Sequence, residues 1–219
     1  VRVERLVINE MGTNCYIVSG GDGGAVVIDP GGSSEPIEEY LQKRGLVVRA
    51  ILLTHGHADH LMGLEALRER TGAPVYVHEA DAEMLTDPAK NLSAFMGRPV
   101  VCRPAEHRLK DGDVLEVGGL MVKVLHTPGH TPGGVCLDIA PQGASIRPKV
   151  VFTGDTLFAG SIGRTDFPGG SYEVLLASIR KSLLPYEDDT VIYPGHEEDS
   201  TIGDERRYNP FLRDEEGVR

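Results

Sequence analysis

The chain has 219 residues, 40% of them hydrophobic and 25% charged, a composition that suits a globular protein with one sizeable core. Its 22 Lys and Arg stand against 33 Asp and Glu, a formal net charge of −11, and no basic run exceeds two residues, which argues against a nucleic-acid partner. A membrane span needs about eighteen consecutive apolar residues, and no such run is present.

Taken in chain order, the N-terminal part alternates apolar runs with glycine-rich turns, which predicts strands at "RVERLVI" (2–8), "NCYIVSG" (14–20) and "GAVVIDP" (24–30). "SSEPIEEYLQKRG" (33–45) predicts a helix with a serine cap, early acids and a glycine stop. "VRAILLT" (48–54) is a buried strand, "LMGLEALRER" (61–70) has apolar residues at helical spacing, and "APVYVH" (73–78) is the next strand. Residues 79–103 are the least legible, a helix and then an irregular connection. Short strands follow between Leu109 and Ala140, including "LMVKVLHT" and "GVCLDIA", and then "KVVFTGD" (149–155). "YEVLLASIRKSLL" (172–184) is an amphipathic helix with Leu175, Ile179 and Leu183 on one face. "TVIYPGH" is a last strand, and "STIGDERRY" is a short capped helix. No linker interrupts this series, so one domain is expected: two sheets face to face with helices outside.

Four of the apolar strands lead into turns that carry metal-ligand residue types. "AILLT" leads to His55, His57, Asp59 and His60 in "THGHADH"; "VKVLHTPG" leads to His130; "KVVFTG" leads to Asp155; and "TVIYPG" leads to His196. Loops at strand ends are where rigid scaffolds present functional groups. His55 and His57, two apart on extended backbone, point to one side and suit one ion. Asp59 and His60, expected at the first turn of the next helix, are displaced from that pair and suit a second. His130 and His196 complete one site each, and Asp155, with two carboxylate oxygens, can bridge. Nitrogen and oxygen donors without thiolate suit zinc, iron or manganese. Each ion would keep an open position, as catalytic metals do. Asp29, closing "VVIDPGG", is either a turn acid or, preferably, the acceptor that orients a ligand histidine. His126 is a lesser candidate for such a role, and His78 and His107 have none.

Cys15, Cys102 and Cys136 are odd in number and widely spaced, and the opening "VRVERLVINEMG" lacks the features of a secretory signal. Free structural thiols in the cytoplasm are expected.

The motifs "THGHADH", "TPGHTPGG", "FTGDTLF" and "YPGH", in this order, resemble the metallo-β-lactamase superfamily over nearly the whole chain. "SIGRTDFPGG" and "STIGDERRYNPFL" look most like the single-domain relatives of glyoxalase II, the hydroxyacylglutathione hydrolases. The resemblance implies an α/β (α+β) fold, a four-layer αββα sandwich spanning 1–219. It implies one ion on His55, His57 and His130, another on Asp59, His60 and His196, and Asp155 bridging both. The cofactor is then two divalent ions, Zn2+ foremost, with Fe or Mn as alternatives. The chemistry implied is hydrolysis of a small-molecule thioester such as S-lactoylglutathione by a bridging hydroxide, which Asp155 helps hold and Asp59 orients.

Full-length glyoxalase II enzymes carry a C-terminal helical domain that contacts glutathione, and this chain stops before it. Their substrate-contacting Lys and Tyr correspond here to Arg164 and Asp166, so Arg164 is the expected substrate contact while the aromatic one is lost. The runner-up is a persulfide dioxygenase of the same fold with one iron; a third reading is a non-catalytic metal-binding module. A nuclease is disfavoured by charge. A β-lactamase is disfavoured because those enzymes usually place a cysteine where Asp155 stands. No Gly-x-Ser-x-Gly elbow competes as a nucleophile. Oligomeric state is not legible.

Overall fold

The computed structural model describes residues 1–143 and 150–213. The first half supplies β1 (Arg2–Val7), β2 (Asn14–Ser19), β3 (Gly24–Ile28), α1 (Glu35–Arg44), β4 (Val47–Leu52), α2 (Leu64–Thr71), β5 (Val75–His78) and β6 (His107–Leu109). The second half supplies β7 (Val114–Val117), β8 (Leu120–His126), β9 (Val135–Pro141), β10 (Val150–Gly154), the two-residue strands β11 (Leu157–Phe158) and β12 (Ser161–Ile162), α3 (Tyr172–Ser182), β13 (Val191–Pro194), β14 (Ser200–Thr201) and α4 (Ile202–Tyr208). Lys149, which opens the predicted strand "KVVFTGD", lies outside the described residues.

One sheet has the order β1-β2-β3-β4-β5-β6 and the other β14-β13-β10-β9-β8-β7. Their inner faces meet. Tyr16, Val18, Val26 and Ile28 of the first sheet share a core with Val122, Val124, Leu137 and Phe152 of the second. The alternate residues of the same strands point outward under helices. Cys15, Ile17, Ala25 and Val27 pack with Ile37, Leu41, Leu64 and Leu67 of α1 and α2. Cys136, Val151 and Ile192 pack with Leu175 and Ile179 of α3 and Ile202 of α4. Strands buried on both faces read as continuous apolar runs, which is why "AVVI" and "AILL" show no polar alternation. Each fully buried Leu or Ile contributes about 1.5–3 kcal/mol. These three interfaces make the αββα sandwich that the sequence motifs implied.

Local expectations differ in three places. Ser34 occupies the cap position of α1, but its side chain accepts no hydrogen bond there; the Gly45 stop, at φ 63°, is as expected. The segment after β5 forms not an α-helix but a 3-10 helix over Glu79–Leu85, with a further short turn at Ser93–Phe95. Asp59 and His60 lie in a 3-10 turn, Ala58–His60, ahead of α2 rather than in its first turn. Among the described residues no helix is long and apolar enough to cross a membrane.

Candidate metal centre

Strands β4, β8, β10 and β13 deliver His55/His57, His130, Asp155 and His196 to one edge of the sandwich, between the two sheets. The 3-10 turn then swings Asp59 and His60 into the same space. Two triads of donor atoms result, His55–His57–His130 and Asp59–His60–His196, and His55, His60 and Asp155 form an overlapping third; within each, the donors lie within 4.8 Å of one another. All seven sequence-derived ligand candidates therefore converge.

Individual separations test whether an ion fits. His57 Nδ1 and His130 Nε2 are 2.9 Å apart. His196 Nε2 is 3.2 Å from Asp59 Oδ2. Asp155 Oδ2 lies 3.6 Å from His130 Nε2 and 3.5 Å from His196 Nε2, so one carboxylate oxygen stands between the triads. Donors sharing a tetrahedral ion at ~2.0–2.1 Å stand roughly 3.3 Å apart, close to these spacings. His55 Nε2, His60 Nε2 and Asp155 Oδ1 are buried without a hydrogen-bond partner. Leaving such atoms unpaired is costly, and a cation satisfies them. The cluster fits divalent metal.

Glycine is needed where these loops meet. A Cβ on Gly195 would lie 2.2 Å from Asp155 Oδ1 and 2.9 Å from His60 Cε1. Gly154 has φ 48°, and a Cβ there would strike the Thr54 hydroxyl at 2.5 Å. Asp29 and Glu197, beside the site, also hold left-handed backbone at φ 51° and 65°, uncommon for residues other than glycine.

Electrostatics divide the centre. Burial, reinforced by the neighbouring histidines, holds His55 well below its ordinary value. Burial and the nearby His130 push His57 down to about 3. These two rings are neutral at pH 7, with lone pairs available for metal. Burial also opposes charge on His60, but the Asp59, Asp155 and Asp29 carboxylates outweigh it and lift the ring to about 10. Burial would raise Asp59, yet His60 and His196 hold it below the usual carboxylate range. The anionic half thus binds a proton where a cation would sit.

The supporting contacts are specific. Asp29 accepts from the Thr54 N–H at 2.8 Å and the Thr54 hydroxyl at 2.6 Å. That hydroxyl is 3.2 Å from His55 Nδ1, and Asp29 Oδ2 is 3.0 Å from His60 Nδ1. The sequence favoured an orienting role for Asp29, and the carboxylate touches both the loop and the ligand ring. His130 Nδ1 donates to the Arg164 carbonyl at 2.7 Å; a carbonyl only accepts, so His130 Nε2 presents its lone pair to the centre. His126 touches no candidate ligand; it stacks on His78 at 4.0 Å and reaches the Pro132 carbonyl.

Several contributors were not foreseen. The Thr13 hydroxyl donates to Asp59 Oδ2 at 3.1 Å, and Asn9 Nδ2 donates to the Asp59 carbonyl at 2.9 Å. Asn14 Nδ2 donates to the carbonyls of Pro194 and Glu197, bracketing His196. The only sequence signal was a cluster of small polar residues, "NEMGTN", before a buried strand. A cavity of about 660 Å3 opens over the centre, with Asp155, His196, Phe158, Met11, Arg5 and Arg164 in its wall. The Arg164 guanidinium makes two 2.7 Å bonds to Asp166 and lies 3.8 Å from the Phe167 ring centre.

The sequence profile of the metallo-β-lactamase superfamily matches residues 8–196. This chain belongs to the metallo-β-lactamase superfamily. Among members of this superfamily, it is 36% identical over 214 residues to the hydroxyacylglutathione hydrolase GloC of Haemophilus influenzae, covering 97% of this chain and 98% of that protein. The crystal structure of BLEG-1, described as a B3 metallo-β-lactamase, superposes with a TM-score of 0.89 at 39% identity over 97% of this chain and all of that one. TTHA1623 in a di-iron-bound form superposes with a TM-score of 0.81 at 36% identity, over 96% of this chain and all of that one.

Proposed function

We propose that this metallo-hydrolase cleaves a small-molecule thioester, S-lactoylglutathione being the first substrate to test. One observation carries the reading: two donor triads flank Asp155, and Asp155 lines a cavity that Arg164 also lines. The likeness to GloC supports the thioester as the bond. Two divalent ions, Zn2+ foremost, would supply Lewis acidity to a carbonyl and lower the pKa of water enough for attack near neutrality.

The chain's own residues do the placing. His55, His57 and His130 would hold one ion and Asp59, His60 and His196 the other, with Asp155 between the two triads. The Arg164 carbonyl keeps His130 in the ligating tautomer. The Thr13 hydroxyl fixes Asp59 Oδ2, the oxygen that faces His196 in the second triad. The Arg164 side chain meets a substrate carboxylate by exchanging Asp166 for it. Residues 1–219 act as one metallo-β-lactamase-like domain. Three buried, unpaired cysteines suit a reducing compartment, the cytoplasm.

A mononuclear iron persulfide dioxygenase is the second reading; the di-iron form of TTHA1623 supports only its choice of metal, since that similar chain holds iron. The BLEG-1 likeness adds a β-lactam as a control substrate. Hydrolysis needs no oxygen and tolerates redox-silent zinc; persulfide oxidation needs iron. Zinc-loaded protein is expected to cleave S-lactoylglutathione under strict anaerobiosis and to leave a β-lactam essentially intact. No thioester cleavage, with rapid oxygen uptake by iron-loaded protein on glutathione persulfide, would refute the proposal.

A further inference from the structure

Asp81 is completely buried on the 3-10 helix Glu79–Leu85, and the hydrogen bonds of its carboxylate go to none of the seven ligand side chains. Its carboxylate instead receives three hydrogen bonds from the two loops that carry them. Oδ2 accepts from the Gly56 N–H at 3.0 Å and from the Thr131 hydroxyl at 2.7 Å. Oδ1 accepts from the Gly133 N–H at 2.6 Å. Gly56 separates His55 from His57, and Thr131 follows His130. One side chain therefore ties the β4 loop of the first sheet to the β8 loop of the second. Those loops supply the three histidines of a single triad.

The surroundings are shaped around this contact. A Cβ on Gly133 would fall 2.6 Å from Asp81 N and 2.7 Å from its Oδ1. A Cβ on Gly56 would fall 2.6 Å from Met84 Cβ, in the turn of the same 3-10 helix. Two glycines thus let a buried acid approach backbone N–H groups directly. A buried carboxylate carries a large desolvation cost, and three neutral donors offset it only in part. A cation held between the loops it joins would complete the compensation.

We propose that Asp81 is the positioning residue for the His55–His57–His130 ion, setting the gap between two sheets so that three nitrogens meet at one point. The inference rests on the metal-centre reading and is independent of which bond the enzyme breaks. Asp81→Asn is the discriminating change. It preserves volume, but all three partners donate, and an amide offers one acceptor oxygen while turning its NH2 against a donor.

The test is chelator competition with zinc and with cobalt on the full chain, alongside the visible spectrum of the cobalt form and melting of the metal-free protein. Loss of an acceptor that orients metal ligands costs about 10–100-fold in affinity. D81N is expected to lose that factor for one ion only, keeping one ion per chain at chelator levels where the wild type keeps two. The retained cobalt should show the spectrum of the Asp59–His60–His196 site. Thr131→Val and Gly133→Ala, which disturb the same carboxylate from the other side, are expected to weaken the same ion and carry the test if D81N does not fold. Wild-type affinity for both ions in D81N, or equal weakening of both with a lowered melting temperature, would overturn the proposal. A wild-type protein that binds no divalent ion would overturn it together with the metal-centre reading, whereas absent thioesterase activity touches only the substrate.

Discussion

Gly195→Ala isolates the geometry of the centre without altering a single ligand. The Cβ it adds would lie 2.2 Å from Asp155 Oδ1, 0.8 Å inside the 3.0 Å below which Cβ contacts essentially do not occur. Its other neighbours are His60 Cε1 at 2.9 Å and the Gly154 carbonyl carbon at 3.2 Å, so retreat is blocked by a ring and by backbone. Gly195 does not have positive φ, so alanine adds crowding and no backbone strain. Asp155 or the His196 loop must therefore move by nearly an ångström. Overpacking of this kind costs about 1–3 kcal/mol of stability. A misplacement of ~1 Å at a reacting centre costs about 100-fold in rate. The expected result is a folded variant whose metal content falls and whose kcat on S-lactoylglutathione drops by about two orders of magnitude. Elemental analysis and steady-state kinetics on matched preparations measure both. A variant with two ions, wild-type kcat and an unchanged melting temperature would show that Asp155 does not sit where this reasoning requires.

Asp155→Ala is expected to loosen both ions, because its Oδ2 lies within 3.6 Å of a nitrogen from each triad, whereas His196→Ala should loosen one; elemental analysis after dialysis distinguishes the two. Arg164→Ala is expected to raise KM about three- to fivefold with kcat little changed, since an exposed ionic contact contributes modestly and uniformly; an unchanged KM would remove the substrate role. Metal-free protein is expected to be most stable near pH 6.5. His60, lifted to about 10, binds a proton on folding and loses that stabilisation as pH rises from 6.5 towards 10. His57, pushed down to about 3, binds its proton on unfolding and costs stability as pH falls below 6.5. Thermal melts in chelator across this range test both signs, and zinc should abolish the alkaline decline by taking the proton's place.

The sequence by itself determined the donor chemistry and the strands that present it. Histidine and aspartate after apolar runs are local signals, and "AILLTHGHADH" carries both within eleven residues. Continuous apolar runs likewise announced strands buried on two faces, and hence helices on both sides of paired sheets. The segment 79–103 stayed illegible because its structure is 3-10 turns and loop, with no sustained period to read. What only the tertiary structure decided are contacts between residues far apart in the chain. Thr13 reaches Asp59 across 46 positions, Asp81 reaches Gly133 across 52, and Asn14 reaches Glu197 across 183. The His130 tautomer is set by a backbone carbonyl, a group that every residue carries and no side-chain pattern reveals. Ligand identity is a property of side chains, legible one at a time. The spacing and orientation of those ligands belong to two sheets closing on one another, and no local stretch of sequence encodes that distance.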